Sequence, residues 1–115
     1  MKTITQRART GEFILFEERG SITREEVTIA STASALPAGQ LLGKVSETGE
    51  YVPYDPAGTD GSESAVAILY GPAPASDVAR RALAVVRDTE VMGAFLTGLD
   101  ASAVESLASA GITIR

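Results

Sequence analysis

The sequence has 115 residues, of which 44% are hydrophobic and 22% are charged, and it contains neither cysteine nor histidine. That length corresponds to one domain of globular composition. The two missing residue types exclude disulfides, Cys/His zinc sites and Cys- or His-based nucleophile–base pairs. A carboxylate acid–base pair, an oxygen-only metal site and a Lys/Tyr site stay open. Aromatic residues make up only 5%, so small aliphatic residues must form the core, and oligomerisation would add useful burial.

The net charge of −5 is unevenly distributed. Residues 1–11 contain Lys2, Arg7 and Arg9 and no acid, whereas the remaining 7 basic and 15 acidic residues give residues 12–115 a net charge of −8. An acidic body argues against a nucleic-acid partner, which requires a basic face. No apolar run approaches the roughly 18 residues of a membrane span, and no apolar signal core follows Met1. We therefore expect no nucleic-acid partner, no membrane partner and no cofactor.

The N-terminal part predicts an arm followed by two strands. Residues 1–11 are polar and lack helical periodicity, which indicates an extended arm. The apolar run at 12–16 predicts a strand, and residues 17–20 a turn. Four apolar residues are consecutive at 13–16, so both faces of this strand carry apolar side chains. One face would pack against the core. The other face would be covered by the same core, by a neighbouring subunit or by a partner. Alternation around Val27 and Ile29 predicts a half-buried strand at 23–30.

The middle of the chain predicts a hairpin and a buried strand. Residues 40–46 and 51–54 form the expected hairpin around a turn at 47–50. The continuous apolar character of residues 64–70 indicates a strand that is buried on both faces. Gly, Pro, Asp and Ser mark three connecting segments as loops: residues 31–39, 55–62 and 71–75.

The C-terminal part contains one ambiguous segment and one clear helix. Composition at 76–91 slightly favours a helix, whereas segment length and strand-rich neighbours favour a strand. Asp100 is expected to cap a helix that runs through Ala110, with Val104, Leu107 and Ala108 on one face, and Gly111 to end it. Residues 112–115 predict a short terminal strand. No second domain is indicated.

Three groups of charged residues raise the possibility of chemistry. Asp55, Asp60 and Glu63 could form an oxygen-ligand site for calcium, but Asp-Pro and Asp-Gly are also strong turn formers. The pairs at 17–18 and 25–26 could provide two carboxylates for acid–base work, or charges on exposed strand edges. Arg80 and Arg81 could clamp an anion, or serve a surface ion pair or a subunit contact.

Three blocks of sequence resemble the bacteriophage head decoration protein family, the lambda protein D-like capsid-stabilising proteins. The first is Tyr-Asp-Pro-Ala-Gly-Thr-Asp-Gly-Ser at 54–62, followed by Ala-Val-Ala-Ile-Leu at 65–69. The second is Leu-Pro-Ala-Gly-Gln-Leu-Leu-Gly at 36–43. The third is Val-Arg-Asp-Thr-Glu-Val at 86–91, continuing through the predicted C-terminal helix to Gly-Ile-Thr-Ile-Arg at 111–115. The resemblance covers roughly residues 30–115 in order and spacing.

The resemblance implies a β-rich α+β fold, with strand rather than helix at 81–91. It also implies a non-catalytic virion protein that binds the major capsid protein of the expanded capsid as a homotrimer and stabilises it against packaged DNA. Its location would be the outer capsid surface, after assembly in the host cytoplasm. We assign residues 1–11 to an extended capsid-binding arm and residues 12–115 to the decoration domain. The expected capsid contacts are Lys2, Thr3, Ile4, Thr5, Arg7, Arg9, Phe13 and Ile14. The alternatives are an oxygen-ligand metal or small-ligand binder and a generic oligomeric assembly module.

Overall fold

The computed structural model describes residues 13–17 and 23–115. These residues form eight strands, a 3₁₀ turn at Gly93–Phe95 and one α-helix. The elements are β1 (Ile14–Glu17), β2 (Arg24–Ile29), β3 (Leu41–Lys44), β4 (Tyr51–Pro53), β5 (Ala67–Leu69), β6 (Arg80–Val85), β7 (Thr89–Val91), α1 (Ala101–Ser109) and β8 (Ile112–Ile114). This is the predicted β-rich α+β fold with a short C-terminal helix.

Five strands close into a small barrel in the order β2-β4-β3-β5-β6. β2 and β6 pair antiparallel along their whole lengths, from Arg24↔Val85 to Ile29↔Arg80. The parallel contact between β2 and β4 is limited to Ile29↔Tyr51. The interior is filled by small and medium apolar side chains from the strands and adjoining loops: Val27, Ile29, Leu36, Leu42, Ala67, Leu69, Ala73 and Ala84.

A second core lies between the outside of the barrel, α1 and a three-stranded sheet of order β1-β7-β8. Adjacent residues in a strand point to opposite faces, so Leu41 joins this outer core while Leu42 joins the barrel interior. Ile68 likewise lies in the outer core between Ala67 and Leu69, which face the barrel interior. Burial on both faces, predicted for a strand at 64–70, is therefore confirmed for β5 itself, whereas Ser64 lies outside the strand and is exposed.

The ambiguous segment at 76–91 forms two strands, so the helix favoured by its composition is wrong and the strand alternative is confirmed. β6 is stabilised by its pairing with β2 on one side and β5 on the other. Asp88, with a φ of 52°, turns the chain from β6 into β7. Long-range pairing decides the conformation here, because strand propensity depends on context more than helix propensity does.

The helix α1 begins and ends as predicted but buries a different face. Asp100 accepts the backbone N–H of Ala103 at 2.7 Å and caps the first turn, and Gly111 follows the helix with a φ of 84°. The buried side chains are Ala103 and Leu107, whereas Val104 is 39% exposed and Ala108 is also exposed. The expected apolar face of Val104, Leu107 and Ala108 was therefore wrong in two of its three members.

Candidate functional site

The chain enters the described fold at Phe13, whose side chain is fully buried in the outer core. The backbone carbonyl of Phe13 accepts the N–H of Met92 at 2.7 Å. Burying a Phe side chain stabilises a fold by about 1.5–3 kcal/mol. Phe13 therefore fixes the start of β1, directly after the segment predicted to be the arm.

β1 lies at an edge of its sheet and pairs only with β7 among the described residues. Ile14 lies opposite Val91, in the position that follows the hydrogen-bonded pair of Phe13 and Met92. Backbone groups alternate between the two edges of an antiparallel strand, so those of Ile14 face away from β7. Leu15 is 48% exposed. Within the described residues, β1 thus presents an unpaired edge beside an exposed apolar side chain.

The structure locates only two of the eight predicted capsid contacts. Phe13 is a core residue, and Ile14 is half-buried and packs against the outer core. The other six lie outside the described residues: Lys2, Thr3, Ile4, Thr5, Arg7 and Arg9. The capsid-contact role of all eight, and the division of the chain at residue 11, stay predictions.

The loop at 55–63 is folded around its own acidic side chains. One Asp60 carboxylate oxygen accepts the hydroxyl of Ser62 at 2.6 Å and its backbone N–H at 3.1 Å. These bonds stabilise the ionised form, so they hold the pKa of Asp60 below its usual value. Asp55 accepts the N–H of Ala57 at 3.0 Å, and Glu63 accepts that of Gly61 at 2.9 Å. In residues 13–17 and 23–115, no group of three acidic, His or Cys residues is placed to hold a metal.

The same loop packs backbone to backbone against β3 and the hairpin. The N–H of Ser46 donates to the carbonyl of Asp60 at 2.8 Å, and that of Asp55 to the carbonyl of Ser62 at 3.0 Å. A Cβ atom at Gly43 would lie 2.6 Å from the Ser62 Cα. The loop is therefore a fixed part of the surface, and Gly43 is the position that permits its close approach.

Tyr54, at the start of this loop, connects it to the helix. The side chain of Tyr54 is largely buried, and its hydroxyl lies 3.0 and 3.1 Å from the two carboxylate oxygens of Asp100, the residue that caps α1. Burial, and then the hydrogen bond to Asp100, raise the pKa of the Tyr54 phenol. The sequence identified Asp100 as a cap, but a contact between residues 46 positions apart leaves no local pattern.

The neighbouring residues of like charge at 25–26 and 80–81 lie on strands, and their side chains do not converge. Glu25 bonds Arg87 at 3.0 Å and Glu26 bonds Arg81 at 3.1 Å, so each of the two neighbouring carboxylates has its own arginine. Arg80 donates to the carbonyls of Ala30 and Pro74 at 2.6 and 2.8 Å and to the Thr32 hydroxyl at 2.9 Å. Arg80 and Arg81 therefore do not converge into an anion clamp. Glu18 lies outside the described residues.

The described part of the chain contains no helix that is long and apolar enough to cross a bilayer.

A search of curated proteins finds no match. The family model of the bacteriophage lambda head decoration protein D matches residues 3–112, which is nearly the whole chain. That family consists of structural capsid proteins rather than enzymes, so this chain has a structural role in decorating the phage capsid and is located there. The chain belongs to the bacteriophage lambda head decoration protein D family.

Proposed function

We propose that this protein binds the major capsid protein of an expanded phage head as a homotrimer and stabilises the head against the pressure of packaged DNA. The observation that carries the proposal is the family match over residues 3–112. The protein would be assembled in the host cytoplasm and end on the outer capsid surface. The folded loop at 55–63, with its carboxylates bonded to neighbouring N–H groups, gives no comparable support to the metal-binding alternative.

The N-terminal segment is the proposed attachment element. It precedes β1, whose start is anchored by buried Phe13 and whose second edge is unpaired within the described residues. An extended segment can add to a sheet edge through main-chain hydrogen bonds with little demand on sequence. Lys2, Arg7 and Arg9 give the segment a positive charge, which suits an acidic capsid surface.

Three copies of one weak attachment would account for stable decoration. After one arm binds, the other two attachments become intramolecular, and avidity can exceed single-arm affinity by roughly 10²–10⁴. Ordering an arm costs about 1–2 kcal/mol per backbone residue. A docking surface completed only by capsid expansion would therefore distinguish mature from immature heads.

Deletion of residues 1–11 tests this attachment. Cosedimentation with expanded heads is expected to fall to background, while circular dichroism and sedimentation velocity show a folded oligomer of unchanged state. A variant with the order of residues 1–11 scrambled is the control, since main-chain pairing at constant composition should keep much of the binding. Normal decoration by the deletion variant would remove the arm from the mechanism. Equal binding to unexpanded heads would remove its dependence on expansion.

A further inference from the structure

A groove runs along the outer face of β6 beside the loop that follows β5. Its volume is about 330 Å³, and Tyr70, Pro72, Pro74 and Leu83 contribute its apolar surface. Leu83 is 46% exposed, and both prolines are exposed. Leu83 is thus a large apolar side chain in the middle of a paired strand that the described residues leave about half exposed, which makes it a candidate contact surface.

The groove also carries positive charge, on Arg80 and Arg81. The guanidinium of Arg80 donates to two carbonyls and a hydroxyl. No carboxylate within the described ranges forms an ion pair with Arg80. Arg81, on the rim, shares its charge with Glu26 in a pair whose side chains are 78% and 60% exposed. The groove therefore suits an occupant that combines an apolar side chain with an acid.

The turn before β6 has those two features. Its Val78 is 63% exposed, more than the other large apolar residues with exposed side chains. Asp77, its neighbour, is exposed and forms no ion pair within the described ranges. The Ser76 hydroxyl accepts the N–H of Val78 at 3.2 Å and donates to its carbonyl at 2.9 Å. The turn is thus held in shape before any partner binds, which lowers the entropic cost of docking.

We propose that the Asp77–Val78 turn of one copy docks into the β6 groove of a second copy of this chain. Val78 would cover Leu83 and the exposed prolines, and Asp77 would approach Arg81. The inference rests on the proposed homotrimer and assigns its contact. Each copy uses two different surfaces, so the contact is heterologous and must close into a ring or continue as a filament.

Ring closure is favoured by where the two surfaces lie. Val78 is two residues from Arg80, which lines the groove, so turn and groove adjoin at one end of β6 rather than occupying opposite sides of the molecule. Two adjacent contact surfaces impose a large rotation between successive copies. A large rotation between successive copies closes the ring after few subunits, as a trimer requires.

Single substitutions separate the two halves of the contact. Val78→Lys places a cation against the positive groove, and Leu83→Gln removes the apolar floor. Losing the burial of one such side chain should raise the dissociation constant by at least about tenfold. Asp77→Asn should weaken association a few-fold and reduce its salt dependence. Val104→Lys, the same change at an exposed helix position, is the matched control and should assemble like the wild type.

Native mass spectrometry and sedimentation equilibrium provide the test, with circular dichroism to confirm folding. Should Leu83→Gln not fold, Leu83→Thr replaces it, because a β-branched residue suits a strand. Val78→Lys and Leu83→Gln should each be monomeric where the wild type is a trimer, and their equimolar mixture should form a dimer through the one intact turn and the one intact groove. A mixture that stays monomeric, or variants that remain trimeric, would overturn this contact and leave the homotrimer standing. A wild type that is monomeric at high concentration would overturn both.

Discussion

At the scale of single residues, the bond between Tyr54 and Asp100 joins the acidic loop to the helix. The Tyr54 phenol has a pKa above its ordinary value of 10.0, chiefly because it is buried and then because it bonds Asp100. A raised pKa in the folded state means that the folded protein holds the phenolic proton more tightly than the unfolded chain does. The resulting stability is complete below pH 10 and is lost as the pH rises through the folded-state pKa.

We therefore expect Tyr54→Phe to lower the melting temperature at pH 8, because Asp100 loses its partner, and to flatten the decline in stability above pH 10. Melting curves from pH 8 to 11 measure both effects. Tyr51→Phe is the comparison: burial also raises the pKa of Tyr51, but the Tyr51 hydroxyl forms no hydrogen bond with the described part of the chain. Tyr51→Phe should flatten the alkaline decline and leave stability at pH 8 nearly unchanged. An unaltered melting temperature of Tyr54→Phe at pH 8 would contradict a stabilising role for the bond.

At the scale of elements, the contact between β3 and the loop at 55–63 depends on Gly43. The backbone of Ser62 occupies the space that a side chain would need, and the φ of Gly43 does not lie in the left-handed region. We expect Gly43→Ala to destabilise the fold by about 1–3 kcal/mol, the usual cost of overpacking. Urea unfolding midpoints measure this difference.

Gly49→Ala separates crowding from backbone strain. Gly49 has a φ of 74° but meets only a flexible Lys44 side-chain carbon at 3.9 Å, so its substitution should cost about 1–2 kcal/mol through conformation alone. Gly43→Ala should lower the stability and also expose the loop to proteolysis. Gly49→Ala should lower the stability without exposing the loop. Protection of the loop in Gly43→Ala equal to that of the wild type would show that the loop adapts to the added methyl group.

The strands and loops with local patterns could be predicted from the sequence, and those fixed by long-range pairing could not. Alternation around Val27 and Ile29 identified β2, and turn-forming residues identified the loop at 55–62. The strand β6 is different, because its residues favour a helix until β2 and β5 pair with it. The helix face was missed for a related reason, since Ala103 is buried only by the sheet that folds onto it.

The charge of the candidate attachment site could be predicted from the sequence, whereas the geometry of the strand beside it could not. The position of Lys2, Arg7 and Arg9 in a segment without acids is visible in the sequence. The four consecutive apolar residues at 13–16 left open which of them face the core. The structure buries Phe13 and exposes Leu15, because pairing with β7 and an irregularity between Ile14 and Phe16 set the register. Local sequence does not encode that partner.

At the scale of the whole molecule, the charge asymmetry predicts how attachment should respond to salt. In the proposed attachment, the basic N-terminal segment would be drawn to an acidic capsid surface, and the same surface would repel the acidic body. Both effects are screened as the Debye length falls to about 8 Å at 0.15 M ionic strength. The arm's contribution to attachment should therefore be largest at low salt and decline as salt is added.

Two double variants with equal net charge test this, since each loses two cations. Arg7→Gln with Arg9→Gln neutralises the arm, whereas Lys44→Gln with Arg115→Gln neutralises exposed positions on the body. Because the proposed trimer would attach through three arms, small losses per arm would multiply, and the arm variant should bind expanded heads about tenfold more weakly at low salt. Its binding should also vary less with salt, whereas the body variant should resemble the wild type. Equal losses in both variants would show that attachment depends on net charge rather than on the arm.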